Sequence, residues 1–283
     1  MKITNKFNLP SGFVNIAKDQ HEILPKNYSV TTILSSTREI LLGRRYNDEI
    51  EEDAINMINV VFGTAVHHIL EVADKENITE QRLTYEIQDG YVLSGQFDLY
   101  NEKTATIEDY KTTTVYKIKS QDFEDWKKQG LMYAWLAIKH GYIVEHLRFY
   151  GLIKDWKPSG VKYDINYPKR QIYIWEYNIT SKDLLKIEEF IRARFKEIIY
   201  YEDKELLPMC SEEERWRSPT VYAVMKKGRK SAMKLCDTLE EAKKYVTNPN
   251  ITVEIREGED KKCDRYCLVK RYCDYWKNKH GLL

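Results

Sequence analysis

Neither sign of charge is in excess in this 283-residue chain: 45 lysines and arginines stand against 44 aspartates and glutamates, for a formal net charge of +1. Whole-molecule attraction to a polyanion is therefore not expected, and any such surface has to be a local patch. The N-terminal segment MKITNKFNLPSG lacks the apolar core of a secretory signal, and no run of about 18 apolar residues stands out, so neither secretion nor a membrane partner is expected. A cytoplasmic setting follows. In that reducing compartment the five cysteines are not expected to form disulfides, and their positions matter more than their number. Phenylalanine is scarce, with 8 residues against 21 tyrosines, so many tyrosines must fill the core instead of serving a site. Internal repeats and low-complexity linkers are also lacking.

What is present suffices for a sizeable core, since 42% of residues are apolar and 31% charged. Apolar residues recur at helical spacing over Thr31 to Arg45 and over Ala54 to Ala73, whereas the segment up to about Pro25 is poorly patterned. Three antiparallel strands are expected at Arg82 to Ile87, Tyr91 to Tyr100 and Thr104 to Tyr110, separated by Asp89-Gly90 and Asn101-Glu102-Lys103. A helix over about Gln121 to His140, strands near Leu147 to Ile153 and Gln171 to Tyr177, and a long charged helix over Ser181 to Tyr201 complete a body of residues 1–207. Residues 208–260 read as a small α+β appendage with strands at Val221 to Met225, Ser231 to Cys236 and Ile251 to Arg256 around a helix at Leu239 to Tyr245. Residues 261–283 form a basic, cysteine-rich tail.

The most informative stretch carries Asp98 on one expected strand and Asp109-Tyr110-Lys111 on the next. Side chains alternate along a strand, so Asp109 and Lys111 share a face, and a hairpin can bring Asp98 beside them. Two carboxylates next to an ammonium make an oxygen-rich site suited to Mg²⁺ or Mn²⁺, and such an ion polarises a phosphodiester and acidifies a water. The same pattern also fits a solvent-facing hairpin with a Lys-Asp pair. Upstream, His67 and Glu71 are four residues apart, on one face of the helix before the strands; downstream, Gln129 and Tyr133 have the same spacing on the helix after them.

In their order, Gly63-x3-His67-x3-Glu71, Gly95-x2-Asp98, Asp109-x-Lys111 and Gln129-x3-Tyr133 resemble the RecB-like branch of the PD-(D/E)XK nucleases. That branch includes the RecB and AddB nuclease domains, CRISPR-associated four-cysteine nucleases and phage exonucleases. The resemblance covers about residues 60 to 135 strongly and the rest of the chain loosely. It implies an α/β, restriction-endonuclease-like core with a central mixed β-sheet flanked by helices. It also implies that His67, Asp98, Asp109 and the carbonyl of Tyr110 hold the metal, that Lys111 serves the hydrolytic step, and that Gln129 and Tyr133 lie on the DNA side. Glu71 would support the site or face the metal.

Cys263, Cys267 and Cys273 form C-x3-C-x5-C in the tail, and Cys210 precedes them. Clustered thiolates select zinc or an iron–sulfur cluster, and four-thiolate zinc sites generally open with a shorter C-x2-C pair. By resemblance, one upstream and three C-terminal cysteines correspond to a [4Fe–4S] staple, although the family spacing is C-x2-C-x5-C, one residue shorter than here. Cys236, at an expected strand end, reads as a packing residue and is the rival for the upstream ligand. Basic runs at Lys226-Lys227-Gly228-Arg229-Lys230, Lys261-Lys262 and Lys270-Arg271, with Tyr266, Tyr272, Tyr275 and Trp276 interleaved, suit a single-strand track or are merely solvated faces. The function implied is a metal-dependent exonuclease acting on single- or double-stranded DNA in phage-type recombination or processing, in the host cytoplasm if phage-encoded. The alternatives are a catalytically weak DNA-binding subunit of a larger DNA-processing complex and a zinc-stapled interaction module.

Overall fold

The computed structural model describes residues 1–18 and 23–282; positions 19–22 of the unpatterned N-terminal stretch and the last residue of the tail lie outside the described residues. The chain forms two compact units, Met1–Leu206 and Leu207–Leu283, so the expected appendage and tail fall within one unit.

In the first unit, β1 (Lys2–Thr4) pairs in parallel with β3 (Glu51–Asp53), and α1 (Ser11–Lys18) lies between them in sequence. A small core of Ala17, Ala54 and Met57 packs there. The periodicity of that N-terminal stretch is too short to announce these elements. β2 (Asn27–Ser29) leads into α2 (Val30–Ile33) and α3 (Thr37–Arg45). The single helix expected over Thr31 to Arg45 is thus broken. At the break Ser36 is extended (φ −66°, ψ 150°), and its side chain accepts a hydrogen bond from the Glu39 amide, capping a new helix instead of continuing the old one.

α4 (Ile58–Ala73) is followed by a sheet built from β4 (Ile78–Gln88), β5 (Tyr91–Asn101) and β6 (Thr106–Thr113), then α5 (Val115–Ser120), α6 (Glu124–Lys139), β7 (His146–Ile153), α7 (Gly160–Tyr163), β8 (Ile172–Asn178) and α8 (Ser181–Tyr201). Asp89 and Gly90, at φ 50° and 78°, make the two-residue turn between β4 and β5, a geometry that matches the twist of a hairpin. Strand order is β2-β5-β6-β7-β8, with β4 on the other edge of β5. The β4-β5 and β5-β6 pairs are antiparallel, β6-β7 is parallel across α5 and α6, and β7-β8 is antiparallel. This is the expected α/β arrangement, a central mixed sheet flanked by helices.

Two details of the packing position the site. On its β6 side, β5 pairs with β2 over Val92–Ser94 and with β6 only over Leu99–Asn101, so the backbone from Gly95 to Asp98 has no strand beside it there. Helix α6 lies so close to the sheet at Gly130 that an added Cβ would stand 2.8 Å from Phe149 and 2.9 Å from Leu147 of β7. By contrast, none of the residues of α4 is fully buried. The helical stretch Ala54–Ala73, of which α4 is the greater part, is long and apolar enough, by length and composition, to cross a membrane. The expectation that no such stretch exists is corrected accordingly. Asn56, Asn59, His67, His68 and Glu71 interrupt its apolar residues, and they hide it from a count of consecutive apolar positions.

In the second unit, β9 (Val221–Lys226) is the centre of a three-stranded antiparallel sheet between β10 (Lys234–Cys236) and β11 (Ile251–Arg256), with α9 (Leu239–Lys243) beside it and α10 (Asp274–Lys279) near the C-terminus. Val224, Cys236, Ala242 and Ile251 form its buried core. The tail is tied to this unit through Asp260, which is fully buried and meets the hydroxyl of Tyr275 at 2.7 Å and the cations of Arg217 and Lys279 at 3.2 Å each.

Candidate active site

The carboxylates are assembled by strand register. In the β4-β5 ladder Thr79 pairs with Leu99 and Gln81 with Phe97, which sets Glu80 opposite Asp98. Continuing the β5-β6 register one place beyond the Leu99–Glu108 pair sets Asp98 opposite Asp109. Neither position is itself bridged. Glu80 takes a left-handed conformation (φ 49°), and the Asp98 carboxylate accepts the Tyr110 amide at 2.8 Å where the ladder would otherwise continue. Three acids on adjacent strands thus converge where β5 and β6 part.

His67 reaches this row from α4. Its Nδ1 lies 3.2 Å from Oδ1 of Asp98 and 3.7 Å from Oε1 of Glu80, and its ring stands edge-on to Tyr110. One ligand atom from each of His67, Glu80 and Asp98 falls within 4.8 Å of the others. Hydrogen bonding to Asp98 and then Glu80 raises the imidazole to about 10, against the opposing effect of burial. For Glu80, burial works upward, but the hydrogen bonds from His67 and Gln96 outweigh it and hold the acid below its ordinary value. Gln96 in turn is held by Arg82 at 2.8 Å.

Asp109 is the most enclosed of the acids. Burial pushes it up to about 6 and the charge on Asp98 adds to this, even though Lys111 stands 2.7 Å from its Oδ2. That buried Oδ2 accepts no directed hydrogen bond from any described residue. Lys111 is also fixed from the helix side, donating to Oε1 of Gln129 at 2.9 Å, while Nε2 of Gln129 donates to the Tyr133 hydroxyl at 3.0 Å. Gln129 and Tyr133 therefore touch the site through Lys111. Tyr133 is held well above the ordinary phenol value, chiefly by burial, and stays a neutral hydroxyl.

His67, Asp98, Asp109, Lys111, Gln129 and Tyr133 are thus brought together, and the amide of Tyr110 points at Asp98. Glu71 is not: its carboxylate lies 3.7 Å from His68 instead. Glu80 occupies the place beside His67, and nothing in its sequence surroundings marks it. An imidazole nitrogen, three carboxylates and one buried oxygen without a hydrogen bond fit a hard divalent cation.

None of the five cysteines is disulfide-bonded. Cys263 is pushed up to about 11, first by burial and then by the nearby Cys210, Asp260 and Cys273, with Arg215 opposing. Cys236 is buried in the hydrophobic core with Val224, Ala242 and Ile251. Of the tail aromatics, Tyr275 and Trp276 are engaged within the unit, by Asp260 and by Asp264 at 3.2 Å.

No protein-family description and no curated protein matches this sequence. Several solved structures resemble it in fold. SSO0001 shares 17% identity over 65% of this chain and 83% of its own, with a TM-score of 0.44. The alkaline exonuclease LHK-Exo of Laribacter hongkongensis, solved with dAMP, shares 13% over 63% of this chain and 90% of its own, with a TM-score of 0.41. A phage-related exonuclease from Haemophilus somnus 129PT shares 14% over 68% and 80%, with a TM-score of 0.29. At these values none of them assigns a residue or an activity here.

Proposed function

We propose that the chain is a metal-dependent DNA nuclease of the PD-(D/E)XK type, an exonuclease in phage-type DNA recombination or processing, working in the cytoplasm of the host if phage-encoded. The observation that carries this reading is Asp109, a carboxylate fully enclosed in the sheet beside Asp98 and His67, with Lys111 held against it from α6. His67, Asp98, Asp109 and the Tyr110 carbonyl, joined by Glu80, would hold Mg²⁺ or Mn²⁺, which supplies Lewis acidity toward a phosphodiester oxygen and toward water. Lys111 is ion-paired with Asp109 and donates one proton to Gln129, which leaves N–H groups for the attacking water or for the charge that develops on the phosphoryl oxygens. Gln129 and Tyr133 keep that ammonium in place.

The test is digestion of end-labelled linear DNA, single- and double-stranded, with Mg²⁺ or Mn²⁺. Cleavage is expected, with Lys111→Ala slowing it by roughly 10²–10⁴-fold while Mn²⁺ binding remains measurable. Asp98→Ala and Asp109→Ala should lose both. Wild-type turnover in Lys111→Ala would defeat the assignment.

For the second unit the proposal is a [4Fe–4S] cluster on Cys210, Cys263, Cys267 and Cys273. Supporting it, Cys263 stands near Cys210 and Cys273 in a half-buried site where a bare thiol keeps its proton, so the thiolate form calls for a cation. Protein prepared without oxygen should contain iron and be brown, and Cys210→Ser but not Cys236→Ser should bleach it. Stoichiometric zinc in colourless protein would replace the cluster with a zinc staple and leave the nuclease reading standing.

A further inference from the structure

β6 and β7 run parallel and in register, with Lys111 beside Gly151 and Thr113 beside Ile153, so the chain leaving β7 emerges at the end of the sheet toward which Lys111 lies. At about 3.3 Å per residue, Lys154 stands roughly 10 Å beyond the Lys111 position. The connection to β8 is an ordered structure. Lys154 donates its amide to Thr113 and its ammonium to Asn59 of α4 at 2.6 Å, the Trp156 indole donates to Pro168, and the Lys157 amide donates to the Tyr167 hydroxyl.

What this framework turns outward is unusual. Tyr163 is 87% exposed and Ile165 95%. Lys157, Lys162, Lys169 and Arg170 are all exposed, and among the described residues they make no ion pair. The acids of the segment are otherwise engaged: Asp164 is paired with Lys119 at 2.5 Å, and Asp155 accepts the Val115 amide. Four unpaired cations interleaved with large exposed side chains, in a chain of net charge +1, make a local basic patch suited to a polyanion. A duplex would present the cations with phosphates but leave Tyr163 and Ile165 nothing to cover them, whereas a single strand offers both phosphates and unstacked bases.

We infer that the β7-β8 connection, residues 157–170, is the track that holds single-stranded DNA next to the cleavage site. This rests on the nuclease reading and adds to it the form of the substrate and the surface that grips it. The connection is in the same unit as the carboxylates, unlike the basic runs at Lys226–Lys230 and in the tail.

The experiment measures binding of a labelled oligothymidylate to the full-length protein, with Ca²⁺ in place of the catalytic ion, across a salt series. Lys162→Ala/Lys169→Ala/Arg170→Ala is expected to weaken binding by tenfold or more and to flatten the slope of log K against log salt by about 2, near 0.7 per lost phosphate contact. Tyr163→Ala should weaken it by roughly tenfold, as loss of one stacking base does, without changing the slope. Mn²⁺ binding at the carboxylates, unchanged in both variants, verifies that they are folded. Wild-type affinity in both variants overturns the track while the nuclease reading stands. Loss of affinity in Lys226→Ala/Lys227→Ala/Arg229→Ala, with none in the β7-β8 variants, would place the track on the second unit instead. A wild-type protein that neither binds nor cuts DNA overturns the nuclease reading and the track together.

Discussion

Burial holds the Asp109 carboxyl at about 6 although an ammonium lies 2.7 Å away. A group whose folded pKa is raised favours the fold while it is protonated, and that contribution is lost as pH rises through the folded value. At neutral pH Asp109 is therefore ionised at the expense of stability. Asp109→Asn is expected to raise the unfolding midpoint by about 2–4 °C, the equivalent of ~1 kcal/mol, and to abolish cleavage. Calorimetry on the metal-free protein checks this, and a lowered midpoint would mean that pairing with Lys111 outweighs burial. His67, raised to about 10 by Asp98 and Glu80, keeps its proton through neutral pH, and a cation must displace that proton. Mn²⁺ affinity should therefore climb by about tenfold per pH unit from neutrality upward, where an ordinary histidine would level off above about 6.5. Titrations at pH 6, 7 and 8 separate the two behaviours.

At the scale of single elements, α6 carries two jobs at adjacent positions: Gly130 meets β7 and Gln129 meets Lys111. Gly130→Ala inserts a methyl where Phe149 and Leu147 leave no room, an overpacking that costs about 1–3 kcal/mol and lifts the helix. The expected result is a lower midpoint together with reduced cleavage at unchanged Mn²⁺ affinity, since the helix supplies no metal ligand. β4 shows the complementary case. Ile87 is an extra residue between the Gln88–Tyr91 and Glu86–Val92 pairs, and this bulge sets Glu80 opposite Asp98 where an unbroken ladder would set Gln81. Glu80→Gln should weaken Mn²⁺ binding by roughly 10–100-fold, the range found for residues that orient and support metal ligands. Calorimetric titration measures it, and unaltered affinity would reduce Glu80 to a partner of His67.

The whole molecule divides its polar hubs between two units. Around Asp260, burial acts to raise the carboxyl, but Tyr275, Lys279 and Arg217 together hold it below its ordinary value. A depressed folded pKa stabilises above the unfolded value and is lost as pH falls, so the tail of the second unit should loosen below about pH 4. At neutral pH, Asp260→Asn removes the buried carboxylate that gathers the partly exposed Arg217 and Lys279, so the second unit is expected to lose stability. Hydrogen exchange should rise from Leu207 onward in that variant. Unchanged exchange there would show that the hub does not hold the tail.

Much of this was legible locally. A period of two puts Asp109 and Lys111 on one face, Asp89-Gly90 announces a hairpin, and the spacing of Gln129 and Tyr133 puts them on one helix face; each depends on only a few neighbouring dihedrals. The helix Ser181–Tyr201 was equally plain from its amphipathic pattern. The tertiary structure decided whatever turns on pairing between distant segments. A bulged residue shifted β4 by one place and made Glu80, not Glu71, the neighbour of His67. The early parting of β5 from β6 freed Asp98 to take the Tyr110 amide. The chain leaving β7 emerges at the end of the sheet toward which Lys111 lies only because β6 and β7 are parallel and in register. Register is set by the sum of cross-strand contacts over the whole sheet, and a slip of one residue, invisible in composition or period, exchanges which side chains meet.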